Sequence, residues 1–198
     1  MLACGGLIAA HAASGGCVAV IAVTDGEASH RGDKGWPPAK LALMRSAERM
    51  RGLARLGVRA ASVERMGLVD GAVAGGRARL REALQRFLRA GDIVVTTWPL
   101  DGHPDHDATG VEAERACIER DCELLRAPVW MWHWSAPGDA RVPWQQLRGF
   151  ALTPDGLDRK TRALAEHATQ LSPRFGEGPV LGASILERAA RRTEFFFV

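Results

Sequence analysis

The sequence predicts an α/β fold: a mostly parallel sheet with helices on both faces. Two observations carry this. The hydrophobic period alternates along the chain between strand-like and helix-like segments. The strand-like segments are β-branched and uncharged, as strands covered on both sides are. A third observation fits them: 198 residues with 46% hydrophobic and 25% charged side chains suit one domain, 1–198, with a full core. No repeat and no low-complexity linker interrupts the chain.

The elements follow in order. Residues 2–14, LACGGLIAAHAAS, read as a helix closed by Gly15-Gly16. Residues 17–24, CVAVIAVT, read as a buried parallel strand. Residues 38–56 read as a long helix in which Leu43, Ala47, Met50 and Ala54 recur on one apolar face, stopped by Gly57. Residues 59–66 give a short strand, and 77–89 a helix with Leu80, Leu84 and Phe87 on one face. Residues 92–97 are a strand, 106–124 a helix, 128–134 (PVWMWHW) a strand and 156–171 a helix. Residues 183–191 give a last short helix and 194–198 a terminal strand. The order has one oddity: it opens on a helix, where a doubly wound sheet normally has a strand, and only Met1 precedes it.

Composition narrows the function. The net charge of +3 comes from arginines scattered over amphipathic segments, so a nucleic-acid partner is not expected. Cys4, Cys17, Cys117 and Cys122 form no C-x-x-C pair, which points to a reduced, cytoplasmic setting. No apolar run reaches the length of a membrane span. Leu2-Ala3-Cys4-Gly5 lacks the charged start and apolar stretch that a signal peptide needs.

In open α/β sheets, ligands bind at the carboxyl ends of strands. That rule selects Thr24-Asp25-Gly26-Glu27, the stretch from Asp101 to His106, and the stretch after Trp134. The second carries the most chemistry, because His103, Asp105 and His106 follow a buried strand within four positions. Two imidazoles and a carboxylate suit a divalent metal or acid–base catalysis. Pro104 stiffens the turn. Either His can ligate, the other can donate a proton or hydrogen bond to a developing oxyanion, and Asp105 can orient a ring through its second nitrogen. The plainer alternative is that Asp101-Gly102 makes a turn, Asp105 caps the following helix and both histidines are solvated. A catalytic zinc needs about three protein ligands plus water, and this loop supplies one or two.

These residues resemble the LmbE-like / PIG-L family of zinc-dependent N-deacetylases. The likeness runs over nearly the whole length: LACGGLIAAHAASG, VIAVTDGEASH, Arg45 and Glu48 before LARLGV, DGHPDHDATG, PVWMWHW and KTRALAEHATQ. The HPDH tetrapeptide after a TWP strand is its most specific part. The resemblance implies a Rossmann-like fold and removal of an N-acetyl group from a small-molecule N-acetylglucosamine-type conjugate. It implies Zn2+ as cofactor with His106 as ligand. His103 becomes the imidazolium that stabilises the oxyanion or protonates the leaving amine, with Asp105 supporting it.

The family's other half-site, a His-Pro-Asp-Asp-Glu motif ending the first strand, is absent, and Met1 stands where the residue after that Glu belongs. The reading is therefore an LmbE-like fold with its first strand missing, a start assigned too late and an impaired metal site. Translation of the upstream DNA tests it. The alternative is a non-catalytic remnant that binds a sugar or a partner. A nucleotide-binding domain is disfavoured, because no G-x-G-x-x-G loop follows a strand.

Other residues keep two readings. Asp25 and Glu27 contact sugar hydroxyls or make a Thr-Asp-Gly turn. Arg45 contacts a substrate anion or sugar, as the resemblance suggests, or pairs with Glu48 on the surface. His167 shares a face with Lys160 and lies at a pocket edge or on the surface. His11 and His30 read as surface. Trp130, Trp132 and Trp134 alternate on one sheet face, as core or as a sugar platform.

Overall fold

Gly5 and Gly6 are explained by what they touch. In the computed structural model, which describes residues 1–58, 62–174 and 176–198, a Cβ on Gly6 would lie 2.2 Å from Leu152 Cδ2 and one on Gly5 would lie 3.0 Å from Lys160 Cγ. The glycines let helix α1 (Gly5–Ala13) pack closely against α6 (Pro154–Ala165). The exposed N–H groups at the start of α1 are taken by a carboxylate, since Gly6 and Leu7 each donate to Glu194 at 2.8 Å. Lys160 Nζ completes this buried group, 2.9 Å from Glu194 Oε1. A negative charge at a helix N-terminus, paired with an ammonium, satisfies both ions out of water.

The chain divides into two units, Met1–Asp70 with Ala151–Glu194, and Gly71–Phe150 with Phe195–Val198. In the first unit β1 (Ala19–Ala22) pairs in parallel with β2 (Ser62–Arg65), Ala19 opposite Ser62. The expected strand 59–66 lies partly outside the described residues, and its described part is β2. Ala9, Leu53, Leu56, Val58 and Ala163 form the core.

Helix α2 (Pro38–Arg55) forms as expected but turns a different face inward. Leu43 and Met50 are 69% and 47% exposed. Leu41, Ala42, Arg45, Glu48, Gly52 and Leu53 are buried instead. The apolar period misled because two charged side chains, each with hydrogen-bond partners, lie on the inner face. The segment 156–171 is α6 followed by a separate short helix, α7 (Ala168–Leu171), with His167 outside helical geometry between them. The short helix α8 (Ala183–Ala189) matches expectation.

The second unit holds α3 (Arg77–Phe87), β3 (Ile93–Thr97) and α4 (Pro104–Arg120). Then come β4 (Glu123–Ala127), the short helix α5 (Met131–Trp134) and most of β5 (Leu147–Ala151) and β6 (Thr193–Phe197). The strand order is β3-β4-β6-β5. β3 and β4 are parallel, with Ile93 opposite Glu123, and β4 meets β6 antiparallel at Arg126 and Phe197. Trp98, Met131, Val142 and Phe197 form the core. Gly110 lets α4 lie on β3, since a Cβ there would be 2.5 Å from the Thr97 carbonyl oxygen.

Two expected elements are corrected here. The helix expected over 106–124 starts earlier and ends at Arg120, where Asp121 adopts the left-handed conformation (φ 54°). The strand lies at 123–127, and the PVWMWHW stretch becomes α5, so its tryptophans do not alternate across a sheet. The cause is a side chain outside the segment. Asp101 accepts the N–H groups of Val129, Trp130 and Met131, each at 2.8 Å, and so caps a helical turn.

Candidate active site

The site is built at the end of β3. Gly102, at φ 86°, makes the turn, and Trp134 stands where its Cβ would be. His103 is the N-cap of α4, and Pro104 takes the first helical position, where its missing N–H costs nothing. Asp105 N–H donates to His103 Nδ1 at 3.3 Å. Nδ1 is thus the accepting nitrogen of this contact, and Nε2 lies outside it.

One turn on, His106 Nδ1 lies 2.5 Å from Asp101 Oδ2. Asp101 is fully buried, and its other side-chain bonds come from backbone N–H groups. It pairs with Nδ1, which leaves Nε2 as the ring nitrogen outside this contact. A carboxylate on the far nitrogen is how ligating histidines are oriented. The rings of His103 and His106 lie 4.6 Å apart, tilted by 34°. Burial pushes the Asp101 carboxyl pKa up, but the bonds from His106, Trp130 and Met131 together bring it below the ordinary value.

The Asp105 carboxylate has partners of its own. It accepts Gly71 N–H at 2.7 Å and Val73 N–H at 3.1 Å. It anchors the chain before α3, and only the Asp105 backbone N–H reaches His103. The partner that sequence reasoning missed is Asp101. The signal was present: once Pro104 is taken as the first helical residue, a carboxylate in the preceding turn reaches a His on the first turn.

The remaining candidates lie in the first unit. Arg45 is buried, donating from Nη1 to the Gly26 carbonyl at 2.6 Å and from Nε to Thr169 Oγ1 at 3.4 Å. Its Nη2 has no partner among the described residues. Burial lowers the Arg45 pKa, against the pull of Asp70, Glu48 and Glu27. Glu48 does not sit on the surface beside Arg45. It is fully buried and accepts Thr169 N–H at 2.8 Å and the Thr169 hydroxyl at 2.6 Å. Glu27 Oε1 accepts Asp70 N–H at 2.9 Å, and its Oε2 is buried without a partner among the described residues. Asp25 is held by Arg65 at 2.8 Å, with Arg49 3.6 Å away.

His30 is corrected from surface to buried, next to Ser29 Oγ at 3.0 Å and tilted against Trp36. Burial, then Arg45 and Arg174, lower its pKa. His167 does not join Lys160. It packs on Met1 Sδ at 3.1 Å, and burial, then the charged amino terminus, bring its pKa down to about 4.

Among the described residues, no three His, Cys, Asp or Glu side chains form a group that could hold a metal. His106 fits one ligand position, and the set around it is incomplete. No helix among the described residues is long and apolar enough to cross a membrane.

Similar folds occur in solved structures. An N,N'-diacetylchitobiose deacetylase from Pyrococcus horikoshii is 24% identical, with TM-score 0.50, covering 59% of this chain and 44% of that one. This chain thus spans less than half of the deacetylase's length. GalB, the 4-carboxy-2-hydroxymuconate hydratase of Pseudomonas putida KT2440, is 21% identical, with TM-score 0.58, covering 84% and 72%. The conserved protein TT1542 of Thermus thermophilus is 21% identical, with TM-score 0.59, covering 88% and 76%. A deacetylase and a hydratase thus share the architecture, so the fold alone does not name the reaction. No curated protein matches the chain. A family model described as "PIG-L: GlcNAc-PI de-N-acetylase" matches residues 1–117. That stretch is more than half of the chain and contains the His103–His106 turn, and on this ground the chain belongs to the PIG-L family.

Proposed function

We propose that this chain carries the hydrolytic half-site of a zinc-dependent N-deacetylase acting on an N-acetylated amino sugar conjugate. The observation that carries the reading is the His103–His106 pair, two adjacent rings held in opposite tautomers. His106, with its proton held by Asp101, offers Nε2 as a metal ligand. His103, with Nδ1 occupied by Asp105 N–H, offers an N–H from Nε2. The first suits Zn2+ and the second suits a hydrogen bond to an amide oxyanion, while protonating a departing amine would need the doubly protonated ring. A bound zinc would supply a Lewis acid and a water of lowered pKa. The described residues give it one ligand. Asp105 acts as a positioning residue.

Within the first unit, Arg45 Nη2 is a buried donor and Glu27 Oε2 a buried acceptor. A sugar hydroxyl both donates and accepts, the two kinds of bond these atoms lack, and an unmade buried bond costs about 1–3 kcal/mol. Asp25 contributes by fixing Arg65 and Arg49.

The test is acetate release from N-acetylglucosamine conjugates with zinc added, beside zinc content by mass spectrometry. His106→Ala should lose zinc and activity together. His103→Ala should keep zinc and lose about 100- to 1,000-fold in kcat, the usual loss for an oxyanion donor. Sugar binding without acetate release at any zinc level would favour the non-catalytic remnant.

A further inference from the structure

Trp130 is 41% exposed, the one aromatic among the exposed large hydrophobic side chains described. The other tryptophans of its neighbourhood are engaged. Trp98 is buried, and the indole N–H groups of Trp132, Trp134 and Trp144 donate to carbonyls of Pro128, Asp101 and Asp139 at 2.8–3.0 Å. Trp130 instead ends at the two imidazoles. Its ring meets His103 edge-on at 5.7 Å and His133 at 4.7 Å. With the 4.6 Å spacing of His103 and His106, four rings form a continuous line. Asp101 Oδ2 accepts both Trp130 N–H and the His106 ring proton. One buried oxygen therefore fixes the origin of the indole relative to the imidazoles.

An exposed, backbone-anchored indole beside polar reacting groups has an apolar face for the C–H side of a sugar and a polar edge for its hydroxyls. We propose that Trp130 is the carbohydrate platform of this site. A pyranose lies with its C–H face on the exposed indole, which carries its acetamido group toward His103. This inference rests on the deacetylase reading and adds to it the residue that holds the sugar ring. Trp130 is a specificity-determining residue that touches the sugar and takes no part in proton transfer.

The experiment uses the whole chain as wild type, Trp130→Ala, Trp130→Phe and His106→Ala. N-acetylglucosamine and N,N'-diacetylchitobiose are the probes, and saturation-transfer NMR with titration reads binding without turnover. Trp130→Ala should weaken binding about tenfold, equal to about 1.4 kcal/mol, with an unchanged melting temperature. Trp130→Phe should keep most of the affinity, and the C–H protons of the sugar should receive the saturation. Wild-type affinity in Trp130→Ala, or no binding of either sugar by wild type, overturns the platform. Acetate release measured in parallel separates the two readings. Weakened binding in Trp130→Ala without acetate release from wild type keeps the platform and removes the deacetylase. Acetate release with the same KM in wild type and Trp130→Ala removes the platform and keeps the deacetylase.

Discussion

Asp101→Asn tests the central construction. The side chain keeps its shape and loses its charge. Oδ1 accepts from Val129 and Met131, while Oδ2 accepts from Trp130 N–H and His106 Nδ1–H. With its NH2 at Oδ1 the amide meets two backbone donors; with its NH2 at Oδ2 it meets Trp130 N–H and can donate to His106 Nδ1 once that ring's proton has moved to Nε2. A hydrogen bond to a charged group contributes about 1.5–3 kcal/mol, so the second orientation, which loses the Trp130 bond, costs about that much. Whole-domain stability is about 5–15 kcal/mol, and urea unfolding at neutral pH would read the loss directly.

The pH dependence has a definite sign. The folded Asp101 carboxyl lies below its ordinary 3.8. Its contribution is complete above that value and is lost as pH falls through the lower folded one, so the gap between wild type and variant should narrow only in strong acid. The variant should also let the His106 proton move to Nε2, weakening zinc about 10- to 100-fold. Nitrogen-15 NMR of the imidazoles reports which nitrogen is protonated. A loss below about 0.5 kcal/mol, typical of an ordinary surface change, or a wild-type His106 protonated on Nε2, would refute the reasoning.

Lys160→Met strips the buried Glu194 of its counter-charge, and breaking such a pair costs about 3–5 kcal/mol; a melting temperature equal to wild type would contradict the buried pairing. His167, at about 4 in the fold against an ordinary 6.5, contributes stability that is complete above pH 6.5 and is lost as pH falls toward 4. The loss has an upper bound of about 3 kcal/mol, and His167→Gln should flatten that part of the stability–pH curve measured by urea unfolding.

The chain's alternation of elements was legible because it depends on local composition: β1, β3, α1 and α3 follow from runs of apolar or β-branched residues. The HPDH turn was legible because its residue types announce chemistry. The PVWMWHW stretch was not. Its β-like composition is overridden by a carboxylate at 101 that satisfies its N–H groups, and no window around 130 contains that residue. The inward face of α2 was hidden for a similar reason. Periodicity counts apolar side chains, while Arg45 and Glu48 are buried because Gly26 and Thr169 supply their partners. The split roles of Asp101 and Asp105 were hidden too. Both carboxylates lie within hydrogen-bonding range of the same turn by sequence, and only the start of α4 decides which one meets a ring.

The cap on α4 sets turnover against folding. The nitrogen of His103 that latches the helix start is the one that must take up a proton for the ring to become doubly protonated. A catalytic cycle passing through that state would loosen the first turn at each round. Ser, Asp or Asn is the better residue at such a position, so selection for robustness alone would discard the imidazole. An imidazole there gives up capping strength for a ring whose other nitrogen is left out of the cap.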